Sequence, residues 1–168
     1  MPDTVDPVKL DPVDPAQLDP VLAVTLTGLA LDAEVLRRLH ARGFPDVRTT
    51  HGFVFQHLVG GPLPVGALAR RMGVSQQAAS KAVHELERLD YLERTADAAD
   101  GRVRRVALSR RGTAVVQAGR DVRAELADDL AARLGARRVE AMRGTLLELL
   151  DAVGGTAAVR RRRVPLVR

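Results

Sequence analysis

Apolar residues along this chain keep to a few regular spacings, and the places where each spacing starts and stops lay out the elements. Over 20–42, Leu22, Leu29 and Leu36 recur every seven residues, with Leu26, Ala33 and His40 four after each. That alternation of three and four predicts a helix with one apolar seam. The same spacing returns near the end of the chain. Val115, Gly119, Val122, Leu126, Leu130 and Leu134 predict a helix over about 110–134; Val139, Met142, Leu146, Leu149 and Val153 predict another over about 136–153, stopped by Gly154 and Gly155. A short helix over about 48–59 follows Gly43-Phe44-Pro45. Seams at both ends, flanking a middle with its own core, predict a helical dimerisation region built from both termini; the competing reading packs them on their own chain. The opening "DPVKLDPVDPAQLDP" follows neither spacing. Each of its four prolines removes an amide donor and bars the residue before it from the helical region, so 1–18 reads as an extended or disordered arm. The last Asp-Pro differs, since Asp19 can N-cap a helix whose first turn accepts Pro20.

In the middle, "PVGALARRMGVSQQAASKAVHELERL" (64–89) reads as two helices joined by a tight turn. Pro64 opens the first, Leu68, Ala69 and Met72 form its inner face, Gly73 permits a left-handed turn and Val74 fills the corner. Ser75 N-caps the second, whose inner face is Ala79, Val83, Leu86 and Leu89. Gln76, Gln77, Ser80, Lys81 and His84 remain outside. Such side chains suit a major groove, where Gln pairs with adenine and Lys reaches guanine or phosphate. Next, "YLERTADAADGRVRRVALS" gives two strand-like runs around Asp100-Gly101, a tight-turn pair. A hairpin directly after a helix-turn-helix is a wing. Arg102 at its tip can enter a minor groove, Arg104 and Arg105 can lie along the flanking backbone, and Asp100 sets the turn and orients the arginines. A solvated charged hairpin is the alternative. The expected fold is mainly α with a small β-wing: a winged helix-turn-helix plus a helical dimerisation region from both termini.

Charge sharpens this picture because it is segregated. Residues 1–36 hold seven acids against Lys9 alone, whereas 70–112 hold ten Lys or Arg against six acids. Lys9 and Lys81 are the only lysines, so nearly every cation is a guanidinium that forks onto phosphate. The basic half points to a polyanionic partner, which with the helix-turn-helix is expected to be double-stranded DNA; codon usage favouring Arg would explain much of the number but not the clustering. With no Cys there is no thiolate chemistry, and His40, His51, His57 and His84 lack paired ligand spacing, so neither a metal nor a cofactor is expected. Nucleophile elbow, P-loop, dinucleotide fingerprint and paired carboxylates are all missing, which argues for binding and against an enzyme. No apolar run has the length of a membrane span, and Asp and Pro stand where a signal peptide would be basic and apolar. A cytoplasmic protein without a membrane partner is expected.

All three Phe (Phe44, Phe53, Phe55) and three of the four His fall between 40 and 57. This concentration is either a ligand cleft or the hydrophobic joint between DNA-reading and dimer parts. Phe53 and Phe55 lie about 200° apart on a helix, so they cannot both face one core. His51 and Phe55 share a face and are the candidate effector-binding residues.

The stretch "LARRMGVSQQAASKAVHELERLDYLERTADAADGRVRRVALSRRG" runs from a helix-turn-helix through Leu-Glu to a Tyr-Leu entering the wing. An Asp-x-Arg follows at the tip (Asp100-Gly101-Arg102), and Leu-Ser-x-x-Gly then opens the next helix. In this order of motifs the chain over 20–153 resembles the MarR family of winged-helix transcription regulators, specifically in the middle and generically at the ends. The resemblance implies a homodimer on a pseudo-palindromic operator, often released by a small phenolic or anionic ligand bound between the dimer and DNA-binding parts. The expected function is therefore a ligand-responsive homodimeric repressor; the alternative is an effector-independent DNA-binding or architectural protein. A single domain over 19–153 is expected, with dimerisation helices at 20–42 and 110–153 around a winged helix-turn-helix at 48–109, followed by a basic tail over 154–168. Two residues depart from the family pattern. Asp90 stands where Gly is usual, so Asp must hold a left-handed conformation, and Ala98 replaces a common Pro, which loosens the wing.

Overall fold

The computed structural model describes residues 14–96 and 104–160. They form two compact units divided after Glu34, inside the first helix. Helix α1 (Pro20–Ala41) begins where Asp19 Oδ1 accepts the N–H groups of Val21 and Leu22 at 2.9 and 3.0 Å, the N-cap expected from the sequence. Ahead of it, Pro15–Gln17 forms a 3-10 turn within the stretch expected to be an arm, because Asp14 Oδ1 accepts the Ala16 N–H at 2.9 Å. In this first unit Leu22, Leu26 and Leu29 of the predicted seam are exposed.

The second unit continues from the end of α1 through α2 (Thr49–Leu58), β1 (Leu63–Pro64), α3 (Val65–Met72), α4 (Gln76–Arg88), β2 (Leu92–Ala96) and β3 (Arg104–Leu108). It closes with α5 (Arg110–Leu134), α6 (Ala136–Ala152) and α7 (Gly155–Arg160). One core gathers Leu39, Val54, Phe55, Leu58, Leu68, Val83, Leu86, Tyr91, Val106, Val115 and Val122. The last turns of α1 bury Leu39, while the seam positions Leu36 and His40 are half-buried and exposed. Leu36 nevertheless packs against this core. Arg38 then pairs with Asp129 of α5 at 2.7 Å, and Arg42 with Glu125.

The three strands are antiparallel in the order β1-β3-β2, with Leu63 opposite Val106 and Ala96 opposite Arg104. The sequence pattern predicts only two of them. A two-residue strand has no period to read, and Pro64 serves both β1 and the N-cap of α3. Past Gly154, the first part of the expected basic tail forms α7. Helix α6 buries none of its residues: Met142, Leu146, Leu149 and Val153 of its seam are all exposed.

Candidate nucleic-acid interface

Gly73, at φ +71°, turns the chain from α3 into α4, and Val74 donates back to the Ala69 carbonyl at 3.1 Å. Only glycine enters that left-handed region without steric penalty. Ser75 Oγ accepts the Ala78 N–H at 3.1 Å, so its hydroxyl caps α4. Leu68, Ala79, Val83 and Leu86 are sealed beneath it. Gln76, Gln77, Ser80, Lys81 and His84 are all exposed, as the periodicity requires. The last four share an arc of about 100°. Gln76 widens that arc to about 140°, and its Oε1 lies 4.0 Å from where a Cβ on Gly66 would be.

At the far end of α4, Asp90 is left-handed at φ +59°, as expected of an Asp in a glycine position, and its carbonyl accepts Ser109 Oγ at 2.5 Å. Ser109 Oγ also accepts the Gly112 N–H at 3.0 Å, while its own amide donates to the Tyr91 carbonyl. A Cβ on Gly112 would lie 2.0 Å from that carbonyl oxygen. The Leu-Ser-x-x-Gly motif is thus the joint between wing and α5. In the wing, Arg104 is exposed and Arg105 half-buried, its guanidinium donating to the Pro62 carbonyl at 3.3 Å. Asp100 and Arg102 lie outside the described residues.

Arg111, from the same basic stretch, has another role. Its guanidinium lies 5.0 Å from the Tyr91 ring centroid and 5.8 Å from that of Phe44, and it pairs with Asp46 at 3.2 Å. Burial raises the Tyr91 pKa, with the hydrogen bond from Arg111 opposing the rise. The clamp joins the loop before α2, the entry to the wing and α5. Cation and aromatic contacts of this kind come from residues far apart in sequence, so no local pattern announces them.

His51 and Phe55 are both buried, with ring centroids 6.3 Å apart. Phe55 is a core residue, 5.6 Å from the Tyr91 ring. Between α2 and the α3–α4 pair runs a groove of about 300 Å³, bordered by Val54, Met72, Lys81 and Glu85; it reaches His51 and not Phe55. His51 Nδ1 accepts the Arg48 N–H at 3.2 Å, which leaves the neutral ring's hydrogen on Nε2. Nε2 is buried without a hydrogen-bond partner, 3.7 Å from Glu85 Oε1, and Glu85 itself pairs with Arg48 at 2.9 Å. Desolvation holds the His51 pKa below its usual value, opposed by Glu85. Neither Arg48 nor Glu85 stands out in the sequence, since each looks like an ordinary surface charge there. Among the described residues no helix is long and apolar enough to cross a membrane.

A capped helix with a sealed apolar underside and a polar outer strip, backed by an antiparallel hairpin, defines a winged helix-turn-helix protein. Residues 46–103 match the sequence model of the MarR family. Staphylococcus aureus MepR, a transcription regulator of the multidrug efflux pump MepA, has the same fold: 18% identity, 81% of this chain and 99% of MepR covered, TM-score 0.63. A MepR mutant bound to an oligodeoxyribonucleotide aligns with 20% identity over 82% and 99% of the two chains, TM-score 0.57. MepR bound to ethidium bromide gives 18% identity over 82% and 99%, TM-score 0.59. No curated protein is significantly similar in sequence.

Proposed function

We propose that this protein is a sequence-specific DNA-binding transcription regulator, a homodimeric repressor that a small aromatic or anionic ligand releases from a pseudo-palindromic operator. The observation that carries the DNA-binding reading is α4, whose apolar side is sealed while Gln77, Ser80, Lys81 and His84 stand together outside, with Arg104 on the wing behind. Gln76 and Gln77 read bases from the first turn, Ser75 caps that turn, and Arg102 and Asp100 act at the wing tip. Dimerisation is supported by α6, a helix of 17 residues none of which is fully buried in its own chain, with Met142, Leu146 and Leu149 exposed. Ligand response is supported by the groove beside His51 and by the ethidium complex of a protein of the same fold. The deciding experiment is repeated selection from a randomised duplex pool, followed by footprinting. Two related half-sites with centres about one helical turn apart are expected. Recovery of unrelated sequences with a uniform footprint would favour the effector-independent architectural protein.

A further inference from the structure

Glu85 is a carboxylate on the recognition helix, four residues after Lys81 and next to His84. Beside a polyanion it is a liability, and α2 supplies two groups against it. Arg48, the N-cap of α2, holds it at 2.9 Å, and His51 Nε2 faces the same Oε1 from inside the fold at 3.7 Å. That gap is too long for a hydrogen bond and short enough for charge to act. The geometry points to Arg48 and His51 as positioning residues that hold α4 through Glu85, and to proton uptake at His51 when the protein binds DNA.

The argument runs through charge balance. With His51 neutral, Glu85 is paired with Arg48, which is itself largely exposed. The added proton goes to Nδ1 and costs the hydrogen bond from the Arg48 N–H; in return the 3.7 Å approach of Nε2 to Glu85 becomes an ion pair from the buried side, which frees the Arg48 guanidinium for solvent or phosphate. DNA, by its own field, favours the protonated ring and is bound more tightly by it; the coupling is reciprocal. The other groups around His51 modulate this without replacing it. Asp46, in the loop before α2, favours the proton and Arg48 opposes it. The Tyr91 ring packs against the imidazole at 6.4 Å from the wing entry, and Lys81 shares the adjoining groove. Burial keeps the free protein's ring neutral near pH 7. The proton is therefore taken up on the complex rather than carried beforehand.

The inference rests on the DNA-binding reading, so its test has two independent arms. In the first, the His51 ring is titrated by NMR in the full chain, wild type against Glu85→Gln, without DNA. Removing the carboxylate should lower the His51 titration point further, whereas an unchanged titration would overturn the brace. In the second, affinity for the duplex recovered by selection, or for a mixed-sequence 30-base-pair duplex, is measured from pH 8 to 5.5. Wild type should tighten more steeply than His51→Gln or Glu85→Gln, by up to about one decade per pH unit per subunit. The Glu85→Gln variant should also bind more tightly than wild type at pH 8, a gain that a merely structural role would not produce. Parallel pH slopes in all three proteins would sink the proposal. Absence of binding at every pH would sink the DNA-binding reading instead, while the NMR arm still decides whether Glu85 and His51 are coupled.

Discussion

Two backbone positions carry the tightest constraints in the molecule. At Gly112 a methyl group would meet the Tyr91 carbonyl oxygen at 2.0 Å, and that oxygen already accepts the Ser109 amide. Gly112→Ala is therefore expected to destabilise the fold by about 2–4 kcal/mol in urea unfolding, since neither backbone can withdraw without breaking the joint. Asp90 is the opposite case. Its φ of +59° costs an L side chain about 1 kcal/mol, so Asp90→Gly should recover about 0.5–1 kcal/mol, less the entropy that glycine adds to the unfolded chain. A decrease in stability would mean that the Asp side chain does more than tolerate the turn. His51 gives the fold a pH signature. Its pKa is depressed in the folded state from 6.5, so above that pH both states are neutral and no stability is at stake. Below it the unfolded chain takes the proton first, and stability falls until the pH passes the folded value. Stability measured from pH 7.5 to 5 should therefore decline less in His51→Gln than in wild type.

The helices show what the sequence made legible and what it did not. The α4 pattern was readable because one period separates a sealed face from a polar one, and Ser75 and Gly73 announce its start and the turn before it. Substituting Gln77 by Ala should relax preference at one or two base pairs, by about 1–3 kcal/mol per lost bidentate contact, and Gln76 by Ala should do so less, because its side chain leans back toward α3. Competition against random DNA separates this outcome from uniform weakening, which would place both glutamines on the backbone. Strand β1 was hidden because its pairing with β3 is a long-range fact carried by two residues. Arg111 and Arg105 were hidden differently. In a run of arginines every guanidinium looks alike, and only the fold shows that one sits between two rings and the other on the Pro62 carbonyl. Phe55 looked like a cleft residue for the reason that it is a core residue: helical spacing turns both kinds inward alike.

At the scale of the molecule, exposed apolar surface is the feature that demands a partner. Leu29 of α1 is 64% exposed and Leu146 of α6 is 40% exposed, more than single isolated apolar residues require when their seam neighbours are exposed too. Changing both to Asp should convert dimers to monomers by light scattering and weaken operator binding. A double variant that stays dimeric would place the interface elsewhere. The wing adds a second expectation at this scale. With Arg102 in a minor groove, Arg102→Ala should leave melting unchanged while operator affinity falls, and the slope of log K against log salt should become shallower by about 1 per DNA-contacting subunit. Coincident salt titrations would mean that the arginine is only solvated.

The bare helix α6 has a further consequence, for abundance. Within its own chain α6 is held by α5 and α7 with no residue fully buried, so on the dimer reading a newly made chain holds α6 less firmly until it meets a second copy. Dilution then does more than separate subunits: it exposes Met142, Leu146 and Leu149 on a fraying segment open to proteolysis. Lone copies would be cleared and paired copies spared. The cell's supply of the protein would then rise steeply, rather than in proportion, with its rate of synthesis.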